Sequence, residues 1–200
     1  MNKMFDKNLI VYNEPCPILL PTDIIDSCVA FADQSTDSSN MYIKKRHGDP
    51  AKVKPQILQG KLAEFATSIF LSTQLGFPEL DPDLTIYKAR EKSWAADLPY
   101  SVDTPEFPDV HVKSADTITA QRYEESYVFE LKDTLFRRQK DRDLIAMVLY
   151  NPTNKELTVR ALAKWSYLCE KQLFGLMKVH QLRSSKVCIY HKDLENAILS

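Results

Sequence analysis

Two short segments of this chain carry side chains that could work on a phosphodiester. Asp97 lies in Ser93-Trp94-Ala95-Ala96-Asp97-Leu98, and Lys113 follows sixteen residues later in Pro108-Asp109-Val110-His111-Val112-Lys113-Ser114. Hydrolysis of such a bond needs a cation on the phosphate, an activated water and help for the leaving oxygen. An Asp can hold a hard divalent cation, because Mg²⁺ prefers oxygen ligands and keeps several waters. A protonated Lys beside the phosphate stabilises developing charge and orients the attacking water. Strand alternation sets Val110 and Val112 on one face and Asp109, His111 and Lys113 on the other. His111 therefore looks where Lys113 looks, as a ligand, a general base or a holder of water.

Those residues must be positioned by the elements around them. Pro21-Thr22-Asp23 opens a short capped helix that carries Ile24, Ile25, Cys28, Val29 and Phe31. From Lys54 or Pro55 to Leu75 the pattern predicts the longest helix. Leu58, Leu62, Phe65, Ala66, Ile69 and Thr73 form its apolar stripe, and Gly76 stops it. Its second face holds Ile57, Gly60, Glu64, Ser68 and Leu71, which makes Glu64 a third candidate acid. Strands are expected at 84–88, more weakly at 94–98, and at 110–114, 126–131, 144–150 and 158–165. The run Leu144-Ile145-Ala146-Met147-Val148-Leu149-Tyr150 suits a strand covered on both faces. In the last of these, Val159, Ala161, Ala163 and Trp165 are expected on one side. Helices over 166–176 and 192–199 and a strand over 186–190 complete an α/β fold, a central mixed sheet flanked by helices.

The chain has 200 residues, 44% hydrophobic and 26% charged, which suits one domain with a real core. Residues 1–54 read as an N-terminal helix and basic loop, 55–165 as the core and 166–200 as a C-terminal appendage. No apolar run nears the roughly 18 residues needed to cross a bilayer, and the N-terminus lacks a secretory h-region. Four scattered cysteines (Cys16, Cys28, Cys169, Cys188) form no CxxC pair. Reduced thiols and a cytoplasmic location are expected.

A net charge of −1 argues against non-specific coating of nucleic acid. The basic residues are clustered, however. Lys44, Lys45, Arg46, Lys52, Lys54 and Lys61 form one group, and Arg137 and Arg138 begin another that runs on to Lys140 and Arg142. Flanking a candidate metal site, they are candidates for contact with DNA phosphates.

The order Glu64, Asp97, His111-Val112-Lys113 resembles the PD-(D/E)XK nuclease superfamily, over roughly Gln56 to Trp165. The resemblance implies a restriction-endonuclease-like mixed sheet flanked by helices and Mg²⁺-dependent cleavage of double-stranded DNA, with Mn²⁺ as a substitute and often with a homodimer. Asp97 is similar to the central metal-binding Asp, Lys113 to the catalytic Lys and Glu64 to the helix acid. The metal set would be Asp97, Glu64, His111 and the Val112 carbonyl.

His111 departs from the family pattern, which has Glu or Asp there. Three readings follow: a working variant with altered metal preference, a carboxylate supplied by Asp109, or a lapsed site on a DNA-binding or assembly module. A nuclease for RNA or branched DNA is a further alternative with no specific support in the chain.

Overall fold

The computed structural model describes residues 11–12, 15–36, 49–86, 96–132, 136 and 141–199. Two helices form one layer: α1 (Thr22–Ser35) and α2 (Pro50–Leu75). Helix α2 starts earlier than its apolar stripe predicts, because Asp49 caps it. The Asp49 side chain accepts the Ala51 N–H at 3.1 Å, and Pro50 fills the first turn, where a missing N–H goes unnoticed. Pro55 then falls inside the helix and removes one backbone bond. Gly76 ends the helix at φ 70, a conformation that favours glycine.

The expected stripe is only half of α2's buried surface. Leu62, Ala66 and Phe70 pack on the sheet, while Val53 and Ile57 meet Phe31 and Ala32 of α1. The second face is thus covered by α1, and Glu64 is buried with it.

Eight strands are described: β1 (Val11–Tyr12), β2 (Cys16–Ile18), β3 (Val110–Asp116), β4 (Ser126–Glu130), β5 (Leu144–Asn151), β6 (Glu156–Lys164), β7 (Gly175–Leu176) and β8 (Lys186–Tyr190). The main sheet runs β1-β6-β5-β3, with β2 also on β6. It is mixed, since β3 and β5 are parallel and the other pairs antiparallel. The fold is therefore α/β, as the pattern of elements predicts.

The apolar run of β5 is covered on both faces. Leu144, Ala146 and Val148 point to the helical layer, and Ile145 and Met147 to the opposite one. That opposite layer is built differently from a plain layer of helices. An antiparallel sheet, β4-β8-β7, lies there with two short helices, α4 (Trp165–Glu170) and α5 (His191–Leu199). Tyr127, Phe129, Trp165, Leu168, Ile189 and Leu194 fill the space between the sheets.

Several boundaries differ from the sequence expectation. The helix expected over 166–176 stops at Glu170; Gln172 takes φ 52, and the chain re-enters as β7. Edge pairing with β8 and the contact of Phe174 with Trp165, ring centroids 5.2 Å apart, outweigh local helix preference. Residues 84–86 belong to no strand, and 87–95 lie outside the described residues. Helix α3 (Thr117–Tyr123) was not expected; Asp116 caps it by accepting the Thr119 N–H at 2.7 Å.

A bulge where β6 meets Met147/Val148 corrects the expected facing of β6. Val159 turns to the helical layer, whereas Ala161 and Ala163 turn to the other. All four cysteines are free thiols; Cys28 and Cys188 are buried and Cys169 is exposed. Among the described residues no helix is long and apolar enough to cross a membrane.

Candidate functional site

Strand β3 is where the candidate residues meet. On its outer edge, Leu98 and Val110 exchange both backbone hydrogen bonds at 3.0 Å, so the Asp97 segment runs antiparallel to β3. One residue further, Asp97 Oδ2 accepts the Val112 N–H at 2.7 Å. The N–H and C=O of one strand residue open to the same side, so the Val112 carbonyl faces the edge that Asp97 occupies. The intervening loop is pinned at its far end, where Asp109 Oδ1 accepts the Ser101 N–H at 2.8 Å. Tyr100 and Phe107 pack on Phe77, just past the C-terminus of α2, with ring centroids 5.0 and 4.8 Å away. Asp97 is therefore fixed to both the sheet and the end of the helix.

The even residues of β3 face α2. Val110 and Val112 join its core, and Ser114 Oγ accepts a hydrogen bond from Gln59 at 3.1 Å. Glu64 lies in this layer, 8% exposed, with Lys61 Nζ 2.7 Å from its Oε2. Burial, followed by the charge of Asp97, pushes the Glu64 carboxyl up to about 8 against the pull of Lys61. Asp83 adds to the rise. Across the helix pair, burial and then Glu64 push the Cys28 thiol up to about 11. Glu64, Asp97 and Asp83 thus share one electrostatic field. A proton, a cation or Lys61 must balance it.

The odd residues of β3 face the second layer. His111 Nε2 stands 3.5 Å from Asp143 Oδ2, with both side chains largely buried. Lys113 Nζ lies over the Phe129 ring, 5.2 Å from its centroid. The structure therefore brings Glu64 and Asp97 into one field. It sets His111 and Lys113 on the other face of the same strand, with the Val112 backbone between the two groups. Among the described residues no three His, Cys, Asp or Glu side chains gather in a metal-holding arrangement.

The basic candidates divide as well. Lys52 is exposed beside Asp49, Lys54 pairs with Asp33 of α1, and Lys61 is turned inward to Glu64. Lys44, Lys45, Arg46, Arg137 and Arg138 lie outside the described residues.

Three residues were not singled out from the sequence. Asp143 ends the stretch Asp141-Arg142-Asp143 directly before β5, and only the parallel pairing of β5 with β3 brings it to His111. Asp83 gave no signal beyond its charge. Glu125 reads as a solvated loop acid, yet it accepts the Tyr127 O–H at 2.6 Å and Arg160 Nε at 3.1 Å. Arg160 sits at the β6 bulge, so only the irregular register reveals that contact. No family model, no curated protein and no solved structure matches this chain.

Proposed function

We propose that the chain is a Mg²⁺-dependent endonuclease of the PD-(D/E)XK type, hydrolysing phosphodiester bonds of double-stranded DNA. The observation that carries this reading is the junction of Asp97 with the β3 edge, Val112 N–H to Oδ2 at 2.7 Å, with Glu64 in its field. Asp97 and the Val112 carbonyl at the β3 edge, with Glu64 on the helix that covers this face, are hard oxygen donors, which suit Mg²⁺ better than a softer ion. Bound there, the cation would polarise a phosphate oxygen and acidify a coordinated water.

The chain's own residues do the rest. Asp97 is held in place by its backbone hydrogen bond, so it needs no reorganisation when substrate arrives. Burial and Asp97 push Glu64 toward its protonated form, and Lys61 beside it and an arriving cation both pull it back toward the carboxylate. On this reading Lys113, which lies over Phe129 on the opposite face of β3, would have to leave that ring to reach the scissile phosphate. Lys52, with Lys44, Lys45 and Arg46 earlier in the sequence, would contact the DNA backbone, which makes affinity fall steeply with salt. One site per chain cuts one strand, so a double-strand break calls for a homodimer or two successive nicks.

The test is cleavage of plasmid DNA with Mg²⁺ or Mn²⁺ by wild type, Asp97→Ala and Lys113→Ala. Both variants are expected to lose activity; cleavage equal to wild type by both would sink the assignment. A second reading, a lapsed nuclease fold serving as a DNA-binding or assembly module, is favoured by the outward turn of His111 and Lys113 from Glu64. Metal-independent DNA binding without cleavage supports it, and a gain of nicking in His111→Glu would mark a site that lost its carboxylate.

A further inference from the structure

We propose that His111 and Asp143 are two ligands of a second divalent-cation site, for an imidazole-accepting transition metal, on the face of β3 opposite Glu64. Their spacing is the first argument. His111 Nε2 and Asp143 Oδ2 stand 3.5 Å apart, beyond a good N–H···O bond. Two ligand atoms each about 2.1 Å from one metal, at a tetrahedral angle, lie about 3.4 Å apart. His191, the more deeply buried imidazole, has one nitrogen at an ordinary hydrogen-bond length, Nε2 to Glu195 Oε1 at 3.0 Å, and one farther off, Nδ1 to Glu125 Oε1 at 3.7 Å.

The second argument is an unmet need. Asp143 is 5% exposed, and its Oδ1 is buried with no hydrogen-bond partner. A carboxylate in that position is costly to bury unless a donor or a cation meets it. Asp109, which precedes β3 as Asp143 precedes β5, has its Oδ1 accepting the Ser101 N–H.

The third argument is rigidity. The Asp143 carbonyl accepts the Trp165 N–H at 2.8 Å, and the Leu144 N–H donates to the Asp109 carbonyl at 2.9 Å. His111 on β3 and Asp143 just before β5 thus stand on backbone that is hydrogen-bonded in place before any ion arrives. Nitrogen plus carboxylate selects Zn²⁺, Co²⁺ or Ni²⁺ over Mg²⁺, and water or a substrate oxygen fills the remaining positions. His111, 14% exposed at its side chain, leaves a way in.

This site stands independently of the nuclease reading, and its test requires no cleavage. Co²⁺ is titrated calorimetrically into the full chain with excess Mg²⁺ present, so that any all-oxygen site is already filled. Wild type is expected to take up one Co²⁺ saturably. Asp143→Asn and His111→Gln should each weaken it by about tenfold or more, whereas Asp97→Asn should change it by less than about twofold. Co²⁺ should also raise the melting temperature of wild type and not of the first two variants. Both of those are near-isosteric, and circular dichroism establishes that at least one is folded. The proposal is overturned by absence of saturable uptake in wild type, by equal affinity in folded Asp143→Asn or His111→Gln, or by loss in Asp97→Asn alone.

Discussion

The two faces of strand β3 handle charge in opposite ways. Toward α2, acids are crowded: Asp97 and Asp83 act on Glu64, and the largely buried ammonium of Lys61 stands beside it. Toward the second layer the pairing is local, with Asp143 facing the His111 imidazole on the side of the sheet that Phe129 and Trp165 cover. The first arrangement stores repulsion that a hard cation relieves. The second leaves one carboxylate oxygen unmet inside an apolar wall. One strand, by alternating its side chains, thus keeps two unlike environments a residue apart.

The wall itself is the place to break that comparison most severely. Trp165 is 1% exposed and packs on Phe129, Phe136 and Phe174; its backbone N–H, which an alanine would keep, donates to the Asp143 carbonyl. Trp165→Ala should cost about 3–5 kcal/mol in denaturant unfolding. Amide exchange should rise first in β4, β8 and α5. Equal loosening of α2 would mean that the two faces open as one unit.

Next in size is the acid edge. Asp97→Ala should lower Mg²⁺-dependent cleavage about 10²–10³-fold while leaving the melting temperature within a few degrees of wild type. A comparable loss of stability would make Asp97 a loop anchor and nothing more.

The stored repulsion has a pH signature. Glu64 titrates near 4.5 in the unfolded chain and at about 8 in the folded one, so between these values the folded chain holds more protons. Stability therefore falls as pH rises through that window, by an amount on the order of 1–3 kcal/mol in metal-free buffer. Glu64→Gln should flatten the slope, read as melting temperature at pH 5, 6.5 and 8. An unchanged slope would place the repulsion elsewhere. The smallest effect belongs to Lys52, whose side chain is 83% exposed. Lys52→Ala should shift stability by less than about 0.5 kcal/mol yet reduce the salt dependence of DNA binding.

Much of this architecture is legible in the residue order. The apolar run of β5 declares its burial on both faces, and the Val110/Val112 alternation already assigns His111 and Lys113 to one side. The partly apolar second face of α2 points to a partner for Glu64. What the chain hides is which strands become neighbours. Asp143 meets His111 only because β5 lies parallel to β3, a pairing that residue periodicity does not encode. The bulge in β6 defeats alternation outright, turning Val159 away from Ala161. The lost helix beyond Glu170 is a tertiary decision as well, since β8 offers an edge that local preference does not foresee.

The parallel pairing has a temporal consequence. To lay β5 beside β3, the chain makes an excursion over residues 117–143, and on the way it deposits β4, whose partner β8 comes near the C-terminus. The two sheets are therefore interleaved along the chain, and neither can be completed from a contiguous stretch. Such long-range closure is slow, because loop entropy is spent before the contacts return it. During synthesis α1, α2 and β3 emerge first, so the acidic edge takes shape while His111 still waits for its carboxylate. The imidazole side is assembled last, and a ribosome-bound chain halted before β5 would carry Asp97, Lys113 and Phe129 without Asp143, Trp165 or β8.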